Sequence, residues 1–213
     1  MITLYHCHDA RSFRALWTLE EIGLPYELKL LPFPPRFRER TYLEINPFGT
    51  IPYLIDGETE MTESAAICQY LADRYAGPPL AVALQEPAYG AYLNALHQGE
   101  ATLTFPQTIV LRYSRLEPPE RRLPQAAADY ARWTLARMRA FEQRGKGAEF
   151  VAAGRFTVAD ISIGYAIMLA RKIGLGADIP PGLSAYFDRL SARPAFQRAK
   201  SAQGETGDLF GAD

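Results

Sequence analysis

Cysteine is scarce in this chain, with two in 213 residues, Cys7 and Cys68. A disulfide framework needs more, so a reduced compartment is expected. Long apolar runs are also missing. No stretch approaches the ~20 residues that carry a helix across a bilayer, which excludes a helical membrane anchor. The first residues read directly as a strand, without the basic, apolar and small-residue order of a secretory leader, so a cytoplasmic location is expected. Charge of one sign is absent: 23 Lys and Arg face 24 Asp and Glu, a net of −1. That balance gives no electrostatic footprint for nucleic acid. Histidine is limited to three, and His6-Cys7-His8 makes a poor metal set. Alternate side chains on a strand face opposite ways and no fourth ligand is evident, so no metal is expected.

What is present suffices for one or two cores: 48% of the residues are apolar. Residues 3–6 read as a short strand and 13–22 as a helix stopped by Gly23 and Pro25. Residues 26–30 alternate as a half-buried strand. Pro32, Pro34 and Pro35 force a loop, and 36–45 reads as a polar, irregular helix. Strands from Tyr53 and Glu58 meet at an Asp56-Gly57 hairpin, and a helix runs over 63–75. After Gly77-Pro78-Pro79 strand signals stop. Segments 87–115, 120–145, 157–174 and 182–200 read as helices, with Pro106 bending the first. Thr157-Val158-Ala159-Asp160 has the spacing of a capping box, flanked by Phe156 and Ile161 as a hydrophobic staple. The helix it opens is apolar on nearly every face and should be a core helix. Residues 202–213 are expected to be poorly ordered. The predicted organisation is a domain over 1–76, a linker over 77–86 and an all-helical domain over 87–213.

The chemistry concentrates in residues 46–67, NPFGTIPYLIDGETEMTESAAI. Pro52 stands in a strand-like run yet has no N–H for a sheet. A cis Ile51–Pro52 bond would account for it, turning the main chain of Ile51 toward a ligand. About 10 residues on, Glu63-Ser64 falls in the first turn of a helix, where free N–H groups and the dipole favour an anion. A backbone edge and an anion site one hairpin apart suit a small peptide with a free carboxylate.

This pattern resembles the glutathione-binding half of the cytosolic glutathione transferases, whose N-P-x-G-x-[IV]-P-x-L segment and E-S pair both occur here in order. ITLYH and RSFRALWTLEEIGLPYE resemble that family's first strand and helix, and the overall pattern is nearest the bacterial nu-like branch. The resemblance implies an α/β thioredoxin-like N-terminal domain with an all-α C-terminal domain. It also implies a homodimer, and an enzyme using glutathione as co-substrate against a small apolar electrophile. In that frame Ile51 pairs its main chain with the cysteinyl backbone and Pro52 fixes the geometry. Ser64 holds the γ-glutamyl carboxylate and Glu63 faces the ammonium. Arg36, Arg38 and Arg40 are equal candidates for the glycine carboxylate. The electrophile would lie between the domains, with Leu103, Phe105, Ile109 and Tyr113 as wall residues.

Thiol activation departs from the family. The thiolate is the nucleophile, so a thiol of pKa ~8.5 must be ionised near neutrality. Ala10 occupies the place of the activating serine in related sequences. Arg11, by charge, and Ser12, by its hydroxyl, are the candidates, although Ser12 also suits a helix cap. Asp9 would oppose a thiolate unless it faces away or pairs with Arg11 or Arg14. Cys7 lies three or four residues early for thioredoxin-type redox chemistry, and it reads with Cys68 as packing. The same thiolate could also serve glutathione-dependent disulfide reduction, ether cleavage or dehalogenation. A third reading is a glutathione-binding or scaffolding protein without catalysis, which Ala10 favours.

Overall fold

In β1 (Ile2–His6) alternate residues Ile2, Leu4 and His6 are buried, the period-2 signature of a strand with one face in a core. A computed structural model of the protein describes residues 1–77, 79–145 and 147–204. The chain divides into two units, Met1–Ala81 with the segment from Ala192 onward, and Val82–Ser191.

The first unit holds a four-stranded sheet in the order β2-β1-β3-β4. β1 runs parallel to β2 (Tyr26–Leu30), with Leu4 opposite Leu28. β3 (Tyr53–Asp56) is antiparallel to β1, with Leu54 opposite Leu4. β4 (Thr59–Met61) returns through the expected hairpin, where Gly57 takes φ +62°. The parallel pair requires a crossover, and α1 (Phe13–Ile22) provides it. Two short turns, α2 (Pro35–Arg38) and α3 (Tyr42–Ile45), stand where one irregular helix was expected. α4 (Ser64–Leu71) continues as a π-helical turn over Ala72–Ala76. This is the thioredoxin-like order expected from the sequence. The Ile51–Pro52 bond is cis, as expected, and so is Phe33–Pro34, which the sequence did not signal.

α1 is buried without interruption from Phe13 to Leu19, more than a helix lying on one sheet can bury. The extra cover comes from α10 (Pro194–Ala202), at the far end of the chain. Arg193 pairs with Glu21 at 2.7 and 2.9 Å. Phe196 meets Trp17 and Phe13 edge-on, with ring centroids 4.9 and 5.3 Å apart. Lys200 lies 5.7 Å over the Phe13 ring. The order of these pairs shows α10 running antiparallel to α1. Two expectations are corrected here. The helix expected over 182–200 is two helices, broken because Arg193, before Pro194, is extended at ψ 137°. Its second half joins the first unit rather than an all-helical domain.

The second unit is helical. α5 (Tyr89–His97) passes through a π-helical stretch, Gln98–Thr104, into α6 (Phe105–Leu111) and a second π turn, Arg112–Leu116. The first wide stretch ends where Pro106 offers no N–H to the regular ladder. α7 (Pro124–Arg144), α8 (Val158–Ala170) and α9 (Pro181–Ser191) complete the unit. α8 is buried along its whole length, as its all-apolar sequence predicts. The capping box forms, with Thr157 Oγ1 accepting from the Ala159 N–H at 3.3 Å and Asp160 Oδ2 from the Thr157 N–H at 2.8 Å. Gly99 lets the π stretch approach α8, since a Cβ there would stand 2.2 Å from Ser162 Oγ.

Of the expected linker, Pro78 lies outside the described residues, whereas Leu80, Ala81 and Val82 are buried. Of the tail expected to be poorly ordered, Gln203 is fully buried and residues 205–213 lie outside the described residues.

Candidate functional site

The approach to Ile51 is built residue by residue. Asn46 Oδ1 accepts from the Phe48 N–H at 3.2 Å, closing the turn that the Asn-Pro-Phe-Gly sequence signals. The Tyr42 hydroxyl and the Asn46 side-chain amide both donate to the Thr50 carbonyl, at 2.7 and 2.9 Å. Gly49 takes φ +59°, and a Cβ there would lie 2.7 Å from Arg36 Cβ, so both conformation and space require glycine. Pro52 is buried and precedes the first ladder residue, Tyr53, so its missing N–H costs the sheet nothing. Leu54 opposite Met61 sets the register. The ladder ends at that pair, with Pro52 two residues before Leu54 and Glu63, at the head of α4, two residues after Met61.

There Glu63 is the extended residue before the helix (φ −88°, ψ 115°), with its side chain exposed. Ser64 is buried, and Arg14 Nη1 donates to its Oγ at 3.2 Å. A guanidinium has no acceptor, so Ser64 Oγ accepts here and its own hydrogen remains available for a ligand. Arg14, fully buried on α1, was not identified from the sequence. The one available signal was a cation inside the otherwise apolar run Phe13 to Trp17. Burying such a charge is costly unless hydrogen bonds and a polar role offset it.

The loop between β1 and α1 differs from expectation at Ser12. That residue is fully buried and makes no side-chain cap for α1. Its Oγ accepts from the Cys7 N–H and donates to the Cys7 carbonyl, both at 3.3 Å. The hydroxyl proton is thus directed at the main chain of Cys7. Arg11 is half-buried and Ala10 buried.

Asp9 is fully buried in a left-handed conformation, φ 52°. It turns toward α10: Oδ1 accepts from Lys200 Nζ at 2.6 Å and from Gln203 Nε2 at 2.7 Å. Gln203 Oε1 accepts from the Asp9 N–H at 3.0 Å and lies 2.9 Å from His6 Nε2. Because that oxygen only accepts, His6 carries its proton on Nε2. Burial lowers the His6 pKa to about 4. These partners are more than 190 residues from Asp9, beyond any local sequence signal.

Both thiols are buried, and burial raises Cys7 to about 12 and Cys68 to about 11. Neither provides a thiolate near neutrality. Among the candidate wall residues, Leu103 is fully buried and belongs to the helical core. Phe105 is 54% exposed, while Ile109 and Tyr113 are half-buried, spaced i, i+4 and i+8. Arg36, Arg38 and Arg40 are all exposed, which does not separate them. Among the described residues no group of three or more His, Cys, Asp or Glu could hold a metal ion, and no helix is long and apolar enough to cross a membrane.

Residues 4–79 match the family model described as the glutathione S-transferase N-terminal domain. Glutathione S-transferase 3 of Schizosaccharomyces pombe is 34% identical over 104 residues, covering 48% of this chain and 43% of that protein. The chain thus spans less than half the length of that relative. Glutathione S-transferase GstB of Escherichia coli K12 is 29% identical over 93% of this chain and 97% of its own. A solved structure of a sphingomonad glutathione S-transferase complexed with glutathione is 25% identical with a TM-score of 0.82, covering 96% of this chain and 100% of that one.

Proposed function

We infer that this chain is a glutathione transferase that adds the thiolate of glutathione to a small apolar electrophile. One observation carries the reading: the cis Ile51–Pro52 bond leads directly into β3, and its hairpin partner β4 leads directly into α4, where Ser64 keeps a hydroxyl hydrogen for a ligand. The likeness to glutathione S-transferases along most of the chain supports it.

In this reading the cysteinyl backbone of glutathione pairs with the main chain of Ile51, in the manner of strand addition. The γ-glutamyl carboxylate accepts from the Ser64 hydroxyl and the first amides of α4, and Glu63 faces the ammonium. Arg11 stabilises the sulfur anion by charge, together with the positive end of α1. Ser12 acts from beneath by bracing the loop through Cys7. The thiol proton leaves to solvent and the sulfur lone pair forms the new S–C bond; in a substitution the leaving group departs with its bonding pair, and in an addition the displaced π electrons stay on the electrophile. Phe105 and Tyr113 wall its apolar site. A thiol of pKa ~8.5 is ~3% ionised at pH 7, and lowering it by about two units makes the thiolate the major form.

The raised thiol of Cys7 argues against a redox part for that residue, and the alternatives, disulfide reduction, ether cleavage and dehalogenation, all use the same glutathione thiolate. We place the chain near the nu-like branch, in the cytoplasm, as two domains and as a homodimer. Large exposed apolar side chains on the first unit, Phe37 and Phe48 among them, suit a second copy.

The test is thiolate absorbance near 240 nm as glutathione is titrated into the protein across pH. The bound thiol should ionise about two units below its free value, and Arg11→Ala should raise that pKa by roughly one unit while leaving affinity within about twofold. Glutathione that binds but stays a thiol at neutral pH would sink the transferase assignment.

A further inference from the structure

The loop that would activate the thiol is held from outside by α10 and the residue after it. Gln203 makes two hydrogen bonds to Asp9, one to its N–H at 3.0 Å and one to its carboxylate at 2.7 Å, and Lys200 adds an ion pair at 2.6 Å. Asp9 sits at φ 52°, in the left-handed region that residues with a Cβ seldom occupy, so outside contacts have to sustain it. Two residues later the chain enters α1 through Arg11 and Ser12. Among the groups facing Asp9 are His8 Nδ1 at 3.4 Å on its own loop, Lys200 and Gln203 on and after α10, and His6 at the end of β1 through Gln203.

Resting on the transferase reading, we propose that Lys200 and Gln203 are positioning residues for thiol ionisation: they fix the left-handed turn at Asp9, which sets Arg11 at the head of α1, and they hold the Asp9 carboxylate away from the sulfur. Neither touches glutathione. The Asp9 carboxylate, paired with Lys200, lies three residues before Ser12, at the helix start that must stabilise another anion. Like charges in one site disfavour each other's ionisation, so a released Asp9 would raise the thiol pKa. The latch joins residues that stand 191 and 194 positions apart, so the activating loop is complete only when α10 has docked on α1.

The variants are Gln203→Leu, which removes the hydrogen bonds without changing charge, Lys200→Met, which removes the pairing cation, and Lys200→Arg, which keeps it. Arg198→Ala breaks an α10–α1 contact with Glu20 that does not reach Asp9 and serves as the control. Calorimetric glutathione affinity, the bound-thiol pKa by absorbance, and kcat and KM against pH are read for each. Gln203→Leu and Lys200→Met should keep affinity and KM within about twofold while the thiol pKa rises by about one unit. The kcat at pH 6.5 should then fall roughly fivefold and recover at high pH. Lys200→Arg and Arg198→Ala should track the unmodified protein. Should Gln203→Leu fail to fold, Lys200→Met, on a partly exposed side chain, decides alone. If the unmodified protein ionises bound glutathione and both variants do so equally, the latch has no catalytic role and the transferase reading stands. If the unmodified protein never lowers the thiol pKa, that reading falls and takes the latch with it.

Discussion

At the scale of the residue, burial decides which polar groups are available for chemistry. Ser64 and Ser12 are both buried serines, yet their hydrogen bonds give them opposite uses. Ser64 Oγ accepts from Arg14 and keeps its proton, whereas Ser12 spends its proton on Cys7. Ser64→Ala should therefore weaken glutathione binding about tenfold, the worth of one hydrogen bond to a charged group, with little change in kcat when measured by calorimetry and steady-state kinetics. His6 supplies a stability prediction. Its folded pKa of about 4 lies below the unfolded 6.5, so below pH 6.5 the unfolded chain binds a proton that the fold refuses. Stability from this group is intact above pH 6.5 and is lost as pH falls toward 4. Urea denaturation at pH 7 and pH 5 should differ by about 2 kcal/mol on its account, and an equal midpoint at both values would refute the assignment.

Elements in this protein stand where local signals placed them, and the buried carboxylate of Asp160 shows what fixes one. Besides closing the cap of α8, its Oδ1 accepts from the Val151 N–H at 3.0 Å and from the Tyr186 hydroxyl at 2.7 Å. One side chain thus joins the start of α8 to the preceding loop and to α9. Asp160→Ala would take the acceptor from four donors, the Val151 and Thr157 N–H groups and the Thr157 and Tyr186 hydroxyls, and a loss of about 3 kcal/mol or more is expected, well above the ~1 kcal/mol of a simple cap. Thermal unfolding followed by circular dichroism measures it, and a shift no larger than that of Thr157→Ala would mean that only the cap matters. The strands, α1, α4 and α8 were legible because their periodicity and stop signals agree. The break between α9 and α10 was missed although Pro194 marked it, because the run 182–200 is otherwise helix-forming on both sides.

The whole molecule adds what no window of sequence holds. A homodimer is the expected state, and sedimentation should give about twice the 23.8 kDa chain mass; Phe48→Ser, at a side chain 76% exposed, should shift the equilibrium toward single chains. A monomer at micromolar concentration would remove that expectation. The sequence by itself determined the succession of strands and helices along the first unit, the turn and cis-proline approach to Ile51, the helix start at Glu63-Ser64 and the capped core helix. These rest on interactions within about 20 residues, where backbone preferences and alternation act directly. Only the tertiary structure decided that Arg14 lies beneath Ser64, that Ser12 turns inward, and that Asp9 is held by Lys200 and Gln203. Those groups are brought together by burial of α1 between the sheet and α10, and a buried charge acquires its partners from whatever the core places beside it rather than from its neighbours in the chain.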